Sequence, residues 1–420
     1  MRYLKRDQNI IVWGGGNVGL RIIKRFSADY NIRFIVDNKL PMEGETVIEG
    51  FPAYNPAVLK YRERWTDSMI VLCMLNWREL KEQLEELELR IFEDFIPWIY
   101  LDYDAIDLDF IDFLNTDEEK GRSIRLLAKD KKICGLYGFC HMNQYRNFLN
   151  SSKEFLDRYI FLNIPVVNDV ENRFHRVIDC EFIWSSCDLF IATGVYEINV
   201  FDVPTTEKIV KKLNRKCKKI LITSASFKGY FPQHAAGIRE TNQYFAWGDK
   251  NINKMIKQGF SGEDIVDHIL NSDIYSPEFV ISYFDRALRI LEKEEKKCDV
   301  KIADYIRENG RKRLLFYSWT HPVKEIMTEI GRRLFAALEL DASVFDDLND
   351  NLIIKMNTNE ELIYPCVVKA LGMEEPNKII GERRMNPAHR WASCPLTVKE
   401  YIEGYVSMNR DYIRAGGSRQ

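Results

Sequence analysis

The sequence predicts an α/β protein in two parts: a Rossmann-like parallel sheet at the N-terminus, then a second α/β domain with a large helical portion. Three observations predict this. Short apolar β-runs alternate with amphipathic helical segments, first over residues 8–100 and again from residue 131. Such alternation builds parallel sheets with right-handed crossovers. The first run, "NIIVW", leads directly into a glycine turn and a helix. Helical spacing then dominates from about residue 235 to residue 310.

Bulk properties agree with this class. A chain of 420 residues, 46% hydrophobic and 29% charged, is long enough for two to three domains around sizeable cores. Its net charge of −3 supplies no global basic field, so nucleic acid is not an expected partner. Nine cysteines occur without CxxC pairs or Cys/His spacing suited to zinc. That usage fits a reducing compartment and predicts neither a disulfide framework nor a metal site. The N-terminal residues lack the apolar core of a signal peptide, and no window approaches the roughly 18 apolar residues of a membrane span. A cytoplasmic protein without a transmembrane segment is expected. A homo-oligomer stays open.

The first domain is assigned to residues 1–128. After "NIIVW", Gly14, Gly16 and Gly19 form G-x-G-x-x-G, with Asn17 opening the helix. The first glycine allows a tight turn, the second lets a phosphate approach the backbone, and the third lets helix pack on strand. The helix N-terminus offers unpaired N–H groups to an anion. The next strand, "IRFIVDN", carries Asp37 where dinucleotide folds place a ribose-binding acid. A hairpin-like insertion follows, then the strands "SMIVLCML" and "DFIPWIYLD" around a polar helix. The turn is compatible with a nucleotide, a nucleotide-sugar or NAD. Residues 8–100 resemble the N-terminal domain of PglD-type sugar-modifying enzymes, which implies a nucleotide-sugar at the glycine turn.

The acidic, then basic stretch 101–132 reads as a packed helical connector, and the second domain is assigned to residues 129–420. It opens with "KKICGLYGFCHMNQY": a strand ending in Gly138, then Cys140 and His141 where a helix should start. Ligands of open α/β sheets sit beyond the carboxyl ends of the strands. A thiol at a helix N-terminus there meets free N–H groups and positive potential, which favour thiolate. Two further strands are "YIFLNIP" and "CDLFIATGV", and a third is "CKKILITSASF". "RLLFYSW" is read as one more strand of the same sheet, delivering His321 to the same edge as a base for Cys140. Cys134, Cys187 and Cys217 are read as core. The tail after residue 375 shows one amphipathic helix and no chemistry.

"YGFCHMNQYRNFL", "CDLFIATGVYEIN", "GYFPQH", "WGDKNINKMI", "SWTHP" and "LIYPCVVKALGM" occur in this order. Together they resemble the WcbI-type polysaccharide biosynthesis family, from about Lys131 to Met373. That family shows G-N-C-Q or G-N-C-H; here Phe139 stands in the place of the asparagine. The resemblance implies coenzyme A or acetyl-CoA as cofactor and acyl transfer to a sugar or glycan of capsule or lipopolysaccharide. It implies a catalytic role for Cys140 with His141 or His321. Gly138 would shape the turn, Lys250 and Asn251 would serve the coenzyme A groove, and Tyr230, Gln233 and His234 would line the acceptor side. The layout is also similar to flavodoxin-like SGNH hydrolases, in which a nucleophile after the first strand is served by a late histidine. An esterase or deacetylase using the same Cys/His site is therefore the alternative, and a non-catalytic nucleotide-sugar-binding protein is another. An NAD-dependent oxidoreductase ranks last, because no hydride-partner arrangement follows the glycine turn.

Overall fold

The computed structural model describes residues 4–74, 80–101, 105–107, 117–167, 178, 180–196, 203–235, 247–346, 361–373 and 397–414. It is α/β, with two separate sheets as the alternation predicts. The first runs β3-β4-β2-β1-β5-β6. Its strands are β1 (Asn9–Trp13), β2 (Asn31–Val36), β3 (Thr46–Ile48), β4 (Phe51–Tyr54), β5 (Ser68–Leu72) and β6 (Phe95–Pro97). All neighbours are parallel except the β3–β4 hairpin. Ile10, Ile11, Val12 and Trp13 are fully buried, because a central parallel strand is covered on both faces. The helix Asn17–Phe26 starts immediately after the glycine turn. It lies close because residue 19 is glycine: a Cβ there would sit 1.8 Å from the Gly14 carbonyl oxygen.

The second sheet runs β11-β10-β8-β9-β7 and is parallel throughout. Its strands are β7 (Ala105–Asp107), β8 (Lys132–Tyr137), β9 (Tyr159–Asn163), β10 (Leu189–Ala192) and β11 (Lys218–Leu221). The chain places β9 on one side of β8 and then crosses to place β10 on the other. That reversal opens a crevice beyond the carboxyl ends of β8 and β10, where doubly wound sheets bind ligands. The edge strand β7 and the helix Asp117–Ala128 lie upstream of the division drawn at residue 129. One continuous apolar cluster runs from Ile10 and Val12 through Tyr100, Ile106 and Ile124 to Ile133 and Trp184. The other face of the second sheet packs against the helical part, with Phe148, Phe161, Leu334 and Tyr405 in one core.

The helical portion follows from its caps. Ser261 and Asp264 form a capping box for the helix Gly262–Asn271. Ser276 caps Pro277–Glu294, whose first residue is a proline that needs no N–H partner. Among the described residues no helix is long and apolar enough to cross a membrane.

One expected strand is corrected. "RLLFYSW" does not join the second sheet. After β12 (His234–Ala235) and β13 (Gly248–Asp249), β14 (Phe316–Ser318) pairs antiparallel with β15 (His321–Pro322) as a two-stranded ribbon. The chain doubles back at Trp319–Thr320 after three strand residues, so the short segments pair with each other.

Candidate active site

Strand β8 ends at Tyr137, and Gly138 turns the chain with φ +150. A Cβ at Gly138 would lie 2.1 Å from the Thr193 hydroxyl oxygen, so the end of β8 touches the residue after β10. Cys140 is half-buried, in helical conformation, and is the N-cap of the helix His141–Ser151. The thiol thus stands at the crevice, as its place after the strand predicts. Phe139 packs against the shared core.

His141 is only 4% exposed and hydrogen-bonds the backbone of Thr320. Its ring lies 6.5 Å from that of His321, tilted by 65°. The ribbon therefore brings His321 to the Cys140 turn, although not through the sheet. Burial lowers the pKa of His141 to about 4, and the neighbouring His321 adds to that shift. Burial alone brings His321 down to about 4. The Tyr145 hydroxyl is pushed far up, first by burial and then by Cys140 close by.

These depressed values have a stability consequence. In the unfolded chain both rings protonate near pH 6.5, so below that pH the unfolded state binds more protons. Stability is complete above pH 6.5 and falls as pH drops toward 4. Each histidine contributes a loss of about 2 kcal/mol between pH 7 and pH 5. Urea unfolding at the two pH values should show a smaller loss for His321→Asn than for the parent protein; equal losses would contradict the assignment.

Unpaired buried polar atoms concentrate in this region. Among the described residues eleven buried side-chain N or O atoms have no hydrogen-bond partner. Eight of them belong to Tyr145, His141, Thr193, Gln233, Trp247 and the segment 318–321. Folded proteins rarely leave such atoms unsatisfied, and a cluster of them marks a place for a polar ligand or water.

Next to this segment lies a second histidine site. His234 Nδ1 is 2.8 Å from Glu361 Oε2, with both side chains largely buried. Glu361 Oε1 accepts the Trp319 backbone N–H at 3.0 Å. The rings of His234, Trp247 and Trp319 stand 5.3–5.5 Å apart in a triangle. Gln233 is buried and its amide donates to the Leu362 carbonyl. Tyr230, expected on the acceptor side, is instead core: it is fully buried among Phe227, Phe284 and Phe316, and its hydroxyl donates to the Gly310 carbonyl. Lys250 is exposed at the start of its helix. The Asn251 amide is engaged with the Tyr275 hydroxyl rather than facing an open groove. The same helix is capped by buried Asp249, which the Tyr364 hydroxyl also reaches at 2.7 Å. Its carboxyl is raised to about 6, chiefly by burial.

A cavity of about 490 Å³ lies beside Trp319, lined also by Ser226, Lys228, Tyr283, Arg286 and Ile290. The Lys228 ammonium stands 4.4 Å above the Trp319 ring centre. Two cations, Lys228 and Arg286, and one carboxylate, Glu294, thus border aromatic and aliphatic carbon.

At the N-terminal turn, Gly14 has φ +115 and a Cβ there would come within 2.9 Å of the Cys73 carbonyl oxygen. Gly16 faces open space, and no side chain caps the helix that Asn17 begins. Asp37 accepts two backbone N–H groups, from Gly15 at 2.7 Å and from Lys39 at 2.9 Å. Ile48, from the β3–β4 hairpin, packs over Gly15.

Sequence reasoning missed Glu361, Thr193, Lys228, Arg286 and Trp319. Two carried a signal: Trp319, two residues before His321 in "SWTHP", and Thr193 within "CDLFIATGVYEIN". The others are single polar residues with no spacing that marks them.

A family model described as polysaccharide biosynthesis enzyme WcbI matches residues 133–343. No curated protein sequence matches the chain. Among solved structures, the chain is similar to one described as WcbI, a novel polysaccharide biosynthesis enzyme, in a native form without a disulfide bond between coenzyme A and a cysteine. The identity is 15%, the superposition covers 68% of this chain and 93% of that one, and the TM-score is 0.54. At that identity the likeness speaks for the fold.

Proposed function

The chain belongs to the WcbI family of polysaccharide biosynthesis enzymes, and on that premise we propose that it transfers an acyl group, such as acetyl, from coenzyme A to a sugar hydroxyl. The observation that carries this reading is the Cys140 thiol at the sheet's switch point, beside buried His141, half-buried His321 and a cluster of unpaired polar atoms. The thiol attacks the thioester carbonyl, the bond to the coenzyme A sulfur breaks, and coenzyme A leaves as its thiol. The proton passes from Cys140 through His321 or His141, both neutral at pH 7. A sugar hydroxyl then takes the acyl group and returns a proton to the Cys140 sulfur.

Coenzyme A needs cations for its phosphates and apolar surface for its pantetheine arm. The cavity beside Trp319 offers Lys228 and Arg286 for the first, and Trp319, Tyr283 and Ile290 for the second. Trp319 is two residues from His321, so the cavity and the thiol adjoin the same ribbon. The protein described as WcbI, whose description names coenzyme A, supports the same choice of cofactor. In the N-terminal domain the open backbone at Gly16 and the uncapped helix suit a nucleotide or the nucleotide part of a sugar donor. Such a protein would work in the cytoplasm, where acyl-coenzyme A is made, in assembly of capsule or lipopolysaccharide.

Calorimetric titration with coenzyme A tests the reading. Saturable binding is expected, weakened about tenfold by Lys228→Ala and by Arg286→Ala, since each removes one charge-assisted contact to phosphate. A folded protein that takes up no coenzyme A at millimolar concentration would overturn it.

A further inference from the structure

We propose that His234, Trp247 and Trp319 form the seat of the acceptor hydroxyl, and that Glu361 is its positioning residue. This inference rests on the acyl-transfer reading and adds to it the place of the second substrate. Of the histidines at the crevice, His141 is bonded to a backbone group and His321 leaves Nδ1 unpaired. His234 differs, because a buried carboxylate holds it. Glu361 is 4% exposed and neither oxygen is idle: one meets His234 Nδ1, and the other accepts the Trp319 N–H.

A carboxylate only accepts hydrogen bonds, so it fixes the proton of neutral His234 on Nδ1. Nε2 is then left as the acceptor, which is the orientation that a carboxylate imposes on a catalytic imidazole. Around that ring stand the two indoles, each with an N–H that no described residue accepts. The set is an acceptor nitrogen, two donors and two flat apolar faces. It matches a hydroxyl-rich ring compound, with one hydroxyl donating to Nε2 and others receiving the indole N–H groups. Trp319 also borders the cavity with Lys228 and Arg286, so the seat adjoins the place given to coenzyme A. Glu361 links the seat to the thiol as well. Its second oxygen ties down the turn at Trp319, and that turn carries His321 to His141.

Glu361→Gln separates this role from bulk structure. A glutamine has one oxygen and one NH₂ where two acceptors are required. If its oxygen serves the Trp319 N–H, the NH₂ faces His234 Nδ1 and forces the proton to Nε2. If it is flipped, the tie to Trp319 is lost. The first readout is the nitrogen-15 spectrum of the protein labelled at its six histidines, assigned with His234→Asn. Neutral His234 should carry its proton on Nδ1 in the parent protein and on Nε2, at least in part, in Glu361→Gln.

The second readout is release of coenzyme A from acetyl-CoA, with water and with methyl glycosides as acceptor. Glu361→Gln and His234→Asn should each lower turnover by about 10²–10⁴-fold, while coenzyme A affinity changes by less than threefold. Parent His234 protonated on Nε2, or turnover of Glu361→Gln within threefold of the parent, would overturn the proposal. If the parent protein releases no coenzyme A with any acceptor, the acyl-transfer reading fails and the hydroxyl seat fails with it. The nitrogen-15 spectrum would still report whether the His234–Glu361 bond exists. Should Glu361→Gln lose its cooperative thermal transition, His234→Asn decides the result alone.

Discussion

Cys140→Ala should lose the proposed acyl transfer by about 10³-fold or more, because the thiol proposed to take the acyl chain is gone and no other thiol stands at the crevice among the described residues. Coenzyme A should still bind, within about threefold of the parent, since its proposed cations are Lys228 and Arg286. Intact-mass measurement after mixing with acetyl-CoA checks the step directly. The parent protein should gain one acetyl group and the variant none. Unchanged turnover in Cys140→Ala would remove the covalent step and leave direct transfer from coenzyme A to the acceptor. The thiols read as core do not compete. Burial drives Cys134 and Cys187 far above the ordinary range and raises Cys217 to about 11, which keeps them protonated.

Gly138→Ala should cost roughly 3 kcal/mol of stability from backbone strain and overpacking together, and should also abolish turnover in whatever fraction folds. Its φ of +150 is tolerated by glycine, and its Cβ would enter the Thr193 hydroxyl at 2.1 Å. The turn must yield, and Cys140 moves with it. Urea unfolding measures the first effect and acetyl-CoA turnover the second. Adding Thr193→Ala should recover part of the stability by removing the clash, but not the part owed to the backbone. A Gly138→Ala protein as stable and active as its parent would contradict the close contact between Gly138 and Thr193.

What the sequence made legible follows from periodicity. Both parallel sheets, the glycine turn at Gly14–Gly19 and the strand-to-helix junction at Cys140 all repeat a pattern of apolar runs and small residues. His321 does come beside His141, the residue after Cys140, but not on the strand of the sheet that the sequence predicts. A three-residue segment followed by a reversal has too little length to show whether it pairs across the sheet or with itself. Tyr230 misled because a tyrosine in a quoted motif reads as polar, whereas its ring is core and its hydroxyl is spent on Gly310. Glu361 was illegible for another reason. Its partners, His234 and Trp319, lie 127 and 42 residues away in the chain, and no local pattern encodes such a meeting.

The edge strand β7 has a consequence for how the two halves could have been assembled. Ala105–Asp107 leaves the first sheet's side of the chain and completes the second sheet beside β9. Cut at residue 129, the second sheet would present β9 as a bare row of N–H and C=O groups, open to pairing with any passing strand. The halves are therefore stitched together rather than strung in series. An exchange of the N-terminal module for another would have to bring its own residues to fill that edge.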